Sequence, residues 1–196
     1  MSESVPTIDR RHTMLLVMDY QPAILTNLSD STDLIARTAE TMTLVRNEGI
    51  AVGYVWVAFS DADYDAIPKT NKGFSAITST RRLAMDTPES AIHAALAPEP
   101  GDLIVRKIRV GAFSTTDLHQ QLQQREIDTL ILAGISTSGV ILSTLRDAAD
   151  KDYRVYVLED CCADRTSEVH NLLMQKVFPN QAYVISSADL PVYLGD

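Results

Sequence analysis

The chain has 196 residues, 45% of them hydrophobic and 22% charged, values of a folded globular domain rather than a disordered or fibrous chain. A net charge of −9, from 17 basic and 26 acidic residues, excludes the basic face that nucleic acid requires, and no run is long and apolar enough for a transmembrane helix. The first eleven residues are polar and contain Pro6, so no signal peptide is expected; Cys161 and Cys162 are sequence neighbours, cannot build a disulfide framework, and point to a reducing, cytoplasmic setting.

Short β-type runs alternate with helical periods along the chain. The run from Thr13 to Asp19 is apolar without alternation, as in a strand buried on both faces, and Pro22 stops its continuation. Leu34, Ile35, Thr38, Met42 and Val45 recur at helical spacing, with Ser29 to Ser31 as cap candidates and Gly49 as the stop. A second buried strand covers 50–57. Residues 58–87 are rich in Asp, Ser, Thr and Lys and read as an irregular insert lying over the site. A short helix is predicted from Glu89 to Leu96, and a third strand over 102–107. Thr115 or Thr116 caps a helix carrying Leu118 and Leu122, and strand four covers 128–133. Ile141, Leu142, Leu145, Ala148 and Ala149 share the face of the next helix. Strand five is 154–158, a helix runs from about Ser167 to Phe178, and 182–185 is the last strand. Six strands with intervening helices predict a Rossmann-like three-layer α/β sandwich, its six-stranded sheet mostly parallel with helices on both faces. Residues 1–196 form one domain, with 1–12 as an N-terminal tail.

Such sheets collect functional residues at the carboxyl ends of their strands. Three ends stand out: Asp19, Lys107, and the turn Gly134-Ile135-Ser136-Thr137-Ser138-Gly139-Val140. That turn passes from a strand into a helix, where free backbone N–H groups converge and favour an anion. Its last residue, Val140, can attack nothing. Asp19 closes an apolar run, so its carboxylate needs a partner, and Lys107 could supply it. The residues alone leave two readings open. Asp19 and Lys107 form an acid–base pair, or Asp19 caps a turn and Lys107 is a solvated strand-end charge. Trp56, Phe59, Phe74 and Phe113 are the aromatics placed to wall a pocket, Trp56 foremost, or simply to fill the core.

The runs Leu16–Gln21, Val105–Lys107, Ala112-Phe113, Thr116–Leu118, Leu132–Thr137, Thr144–Ala148, Val157–Asp160 and His170 together resemble the isochorismatase-like hydrolase superfamily over about residues 13–190. The resemblance implies a Rossmann-like domain, assembly as a homo-oligomer and a small-molecule substrate; no cofactor is expected. Most members are cysteine hydrolases of amides with an aspartate, lysine and cysteine triad. By resemblance the aspartate is Asp19 and the lysine Lys107. The cysteine of Gly-x-x-Thr-x-x-Cys falls on Val140, so the chain resembles a member lacking its nucleophile. The backbone N–H groups of Ser136 and Val140 would form the oxyanion hole, with a cis peptide between Ile135 and Ser136. Gln21, Trp56, Phe59, Phe113, Thr137 and Ser138 are the expected substrate contacts.

Cys161 and Cys162 do not replace the missing thiol, since they fall beyond strand five where the family packs small residues. No histidine follows strand two to complete a nicotinamidase-type metal site, and Asp61, Asp63 and Asp65 lack the Gly and Glu of a calcium loop, so no metal is expected. His170 is read as a packing or hydrogen-bonding residue. Two functions follow. In one, the chain is a hydrolase without a cysteine, using Asp19 as general acid/base tuned by Lys107, as true isochorismatases protonate an enol ether. In the other it is an inactive pseudoenzyme, a binding or oligomerisation module of the same fold.

Overall fold

The computed structural model of the chain describes residues 5–194. Its centre is a sheet of β1 (Thr13–Met18), β2 (Ala51–Val57), β3 (Leu103–Lys107), β4 (Thr129–Ile135), β5 (Arg154–Ala163) and β6 (Tyr183–Ile185). Every pairing is parallel and the spatial order is β3-β2-β1-β4-β5-β6, so the predicted mostly parallel sheet is wholly so. The order reverses between β1 and β4. A crevice opens at such a switch point, outside the strand carboxyl ends.

All six residues of β1 are buried, which explains its unbroken apolar run. Successive side chains leave opposite faces of a strand. Met14, Leu16 and Met18 join one core layer with Leu130, Leu132 and Leu145. Leu15 and Val17 join the other with Ile131, Ala133 and Val45. Helices α5 (Leu118–Gln124) and α6 (Leu142–Ala149) cover the first face, and α2 (Thr32–Asn47) covers the second. Gly49 stops α2 with φ of 75°. Between β1 and α2 lies the short α1 (Pro22–Leu25), which Pro22 opens rather than prevents, because a proline at the first helical position has no N–H to leave unpaired.

Several expectations need correction. Residues 58–87 are not irregular: they hold α3 (Asp61–Ala66) and α4 (Lys72–Thr80). Ser60 and Asp63 form a reciprocal capping box on α3, and the Asn71 side chain accepts from the N–H of Phe74 to start α4. The helix expected from Glu89 to Leu96 shrinks to a 3₁₀ turn, Ala94–Leu96. Its groups are drawn off by tertiary partners: Ala23 donates to the Glu89 carbonyl and His93 donates to that of Tyr20. Strand β5 continues through Cys161 and Cys162, which therefore lie within it. The helix after it, α7 (Ser167–Leu172), passes into a π turn over Leu173–Val177, and a short helix, α8 (Leu190–Tyr193), is the last described element. Residues 1–4 of the expected tail lie outside the described residues, but 5–12 are no loose tail: Ile8 donates to Tyr193 and Tyr156 donates to the Pro6 carbonyl.

Candidate active site

At the end of β1 the chain turns sharply at Asp19, whose φ of 60° is a left-handed value unusual for a residue with a side chain. Its N–H still reaches the carbonyl of Val55, and its own carbonyl accepts from Gln21, so neighbouring strands hold the bend. Such a conformation costs about 1–3 kcal/mol and persists where the surroundings enforce it. The bend turns a carboxylate into the crevice.

Lys107 arrives from the end of β3. Alternation along this edge strand buries Leu103, Val105 and Lys107 while Ile104 and Arg106 face out. Its Nζ donates to Asp19 Oδ2 at 2.8 Å and to the Arg109 carbonyl at 3.1 Å. Lys107 is 2% exposed and Asp19 6%, so the pair is effectively out of water. Burial pushes the Asp19 carboxyl above its ordinary range, against the opposing charge and hydrogen bond of Lys107. Asp19 Oδ1 is buried with no partner among the described residues. A buried polar oxygen without a partner is costly, and a ligand hydrogen bond would remove that cost.

The third strand end is β4. Gly134 allows its close approach to β1, since a Cβ there would lie 2.7 Å from the Met18 carbonyl oxygen. The Ile135–Ser136 peptide is cis, where the resemblance places one. A π turn, Thr137–Ile141, then leads into α6. Asp164 Oδ2 accepts from the Ser138 N–H at 2.6 Å, and Thr137 Oγ1 is hydrogen-bonded to His170 Nδ1 at 2.8 Å, so the turn is tied to the segment after β5. Burial holds His170 below its ordinary range.

Asp19, Lys107, Ser136 and Val140 line one cavity of 310 Å³, so the three remote strand ends meet as the sequence predicts. The insert supplies its far wall through Phe74, Ile77 and Leu83. Asn27 and Arg165 also line it. Neither was singled out in the sequence, and no motif would have marked them. Among the described residues the Arg165 side chain has no ion-pair partner.

Of the expected substrate contacts, none of Gln21, Trp56, Phe59, Phe113, Thr137 and Ser138 lines this cavity, and that placement is corrected. Trp56 opens onto a separate depression with Pro88 and Ala91. Adjacent strand residues face opposite ways, and Val57 is the one that reaches the site. Phe59 is buried behind the wall, its ring centroid 5.3 Å from that of Tyr64 and 6.0 Å from that of Phe74. Phe113 stacks on Tyr153 elsewhere in the core. Gln21 is a clamp: its side chain donates to the carbonyls of Val57 and Ser90 and accepts from the Val57 N–H. Thr137 is spent on His170, and Ser138 is exposed. Cys161 and Cys162 are buried, and burial raises both thiols, so neither offers a thiolate.

Fold and site together define a doubly wound α/β protein with a buried ion pair facing a small-molecule cavity at its switch point. The family model for the isochorismatase domain matches residues 13–189, and the chain belongs to that family. It is 34% identical over 175 residues to ureidoacrylate amidohydrolase RutB of Methylorubrum extorquens, covering 78% of this chain and 70% of the relative. It is 30% identical over 186 residues to the uncharacterized isochorismatase family protein YecD of Escherichia coli, covering 93% and 96%. Among solved structures it resembles an isochorismatase family protein from Burkholderia thailandensis, with 28% identity, a TM-score of 0.81, and 97% and 99% of the two chains covered. Among the described residues no helix is long and apolar enough to cross a membrane.

Proposed function

We propose that this chain is a small-molecule hydrolase that works without a cysteine nucleophile, Asp19 acting as general acid/base and Lys107 tuning it. The observation that carries the reading is the buried ion pair opening on a cavity with one carboxyl oxygen, Asp19 Oδ1, still unpartnered. Burial favours the protonated carboxyl, and Lys107 keeps it from being locked in that form. Protonated Asp19 then gives its proton to the leaving atom of the substrate as water adds, and recovers one from that water. The backbone N–H groups of Ser136 and Val140 serve as the oxyanion hole. Val140 occupies the position where the resemblance has the thiol, so water attacks directly and no acyl-enzyme forms.

The relative that acts on ureidoacrylate suggests a substrate class, a small ureide or amide bearing a carboxylate. Arg165, unpaired at the cavity wall among the described residues, suits that carboxylate. The protein is proposed to be cytoplasmic, in keeping with its two free buried thiols, and, from the resemblance alone, a homo-oligomer.

The test is a screen of amides, ureides and vinyl ethers with the Asp19→Asn variant alongside. Activity should drop by at least about a hundredfold, the lower range for a general acid. In the parent, kcat/KM should fall as pH rises through an Asp19 break that lies above the ordinary carboxylate range, because the acid form is the active one. An unchanged rate in the variant would end the acid role. One observation favours the pseudoenzyme reading instead. Val140 is 2% exposed, an inert side chain packed into the wall that a nucleophile would occupy. Ligand-induced thermal stabilisation with no turnover of any compound in the screen would decide for it.

A further inference from the structure

Two neighbouring residues of the turn after β4, Ser136 and Gly139, carry a feature that the family resemblance does not explain. The Ser136 carbonyl is held by the turn, accepting from the N–H groups of Gly139 at 3.1 Å and Ile141 at 3.3 Å. That fixes the backbone of the serine. Its side chain is free: among the described residues Ser136 Oγ makes no hydrogen bond to any protein group, although Ser136 lines the same cavity as Asp19 and Lys107. A Cβ at position 139 would stand 2.7 Å from Ser136 Oγ, closer than real Cβ contacts come. Gly139 therefore has a local job that has nothing to do with φ. It leaves the space in which this hydroxyl sits.

The rest of the cavity is mainly apolar, with Val57, Phe74, Ile77 and Val140 in its wall. Asp19 Oδ1 and Ser136 Oγ are then two polar atoms with no protein partner on one cavity among the described residues. A hydroxyl can both donate and accept, which suits the carbonyl or N–H of an amide. We infer that Ser136 is a ligand-contacting residue whose hydroxyl hydrogen-bonds the amide group of the bound molecule, and that Gly139 is its positioning residue. The inference rests on this cavity being the ligand site, and it does not require turnover.

Its test therefore reads the cavity without a natural substrate. In the full-length Val140→Cys background, the new thiol is alkylated with iodoacetamide, which carries an amide, and with allyl iodide, which does not. Ser136→Ala should slow the iodoacetamide reaction by roughly three- to tenfold, the factor one hydrogen bond carries, and leave allyl iodide unchanged. Gly139→Ala should reproduce that loss by crowding the hydroxyl. The double variant should be no slower than either single one, because both remove the same contact. Ser136→Thr, which keeps a hydroxyl, should recover much of the rate. Equal slowing of both reagents, additive effects of the two alanines, or no effect of Ser136→Ala overturns the assignment. So does a thiol at position 140 that neither reagent reaches. Failure here leaves the Asp19 screen untouched, and loss of activity in Asp19→Asn says nothing about Ser136.

Discussion

The two sides of the cavity teach different things. On the β1 and β3 side, Asp19 and Lys107 are almost wholly buried and bonded at 2.8 Å. On the β4 side, close-packed Gly134 and Gly139 flank a π turn that enters a helix, and the residue leading into that helix is Val140. A buried ion pair is expensive to maintain, and replacing one with apolar residues is often neutral or stabilising. Its presence here is therefore not explained by stability. A valine lining a cavity, by contrast, costs nothing. One side of the cavity holds a buried charged pair at a thermodynamic cost, while the other offers backbone N–H groups, one hydroxyl and an inert valine.

The sharpest way to break that contrast is to restore a thiol. Val140→Cys is nearly volume-conserving, so the fold should tolerate it. The parent should resist alkylation in the folded state, because burial shields Cys161 and Cys162 and raises both thiols. The variant should label at one new site near neutral pH. Mass spectrometry of the alkylated protein checks this. A thiol at 140 that stays inert would mean that small molecules do not reach the β4 side of the cavity.

Next in size is the removal of the lysine. Lys107→Met should destabilise the fold by about 3–5 kcal/mol, as expected when one member of a buried pair is stranded. The cost should depend on pH in a stated direction. Burial already raises Asp19 and Lys107 opposes the rise, so without the lysine Asp19 moves higher still. A group whose folded value is raised contributes stability at low pH that is lost as pH climbs through that value. Urea unfolding at pH 5 and pH 8 should show the variant losing more at the higher pH.

The smallest effect concerns the tie behind the β4 turn. His170 is lowered by burial and held to Thr137, so the folded state resists taking up its proton. As pH falls through about 6.5 the unfolded chain gains that proton and the folded chain lags, so stability is lost on the acid side. His170→Gln should reduce that acid loss by at most about 2 °C in Tm, since 1 kcal/mol moves a domain of this size by ~2–4 °C and the ring is half exposed to screening solvent. Thermal melts of both proteins at pH 5.5 and 7.5 check it.

Much of the architecture was legible before any coordinates. Strands buried on both faces announce themselves as unbroken apolar runs, and Asp19 and Lys107 mark two of the sheet's carboxyl ends, while β4 runs on through Gly134 to Ile135, past the expected end at 133. What escaped was local or pleat-dependent. The Ser60–Asp63 capping box and the Asn71 cap were signals within the insert that could have revealed α3 and α4. Trp56 was misplaced for a simpler reason. A strand's period of two sends one neighbour to the cavity and the other away, and only the register with β3 decides which.

By itself, the order of residues determined the alternation of strands and helices, the placing of Asp19 and Lys107 at strand ends and the absence of a thiol at position 140, because periodicity and side-chain chemistry are local properties. Only the tertiary structure decided that Asp19 and Lys107, 88 residues apart, share a hydrogen bond, and that Phe74 rather than Trp56 walls the site. Those outcomes depend on the sheet order, on which side of each strand faces the crevice, and on the desolvation that follows when remote segments close over the same space.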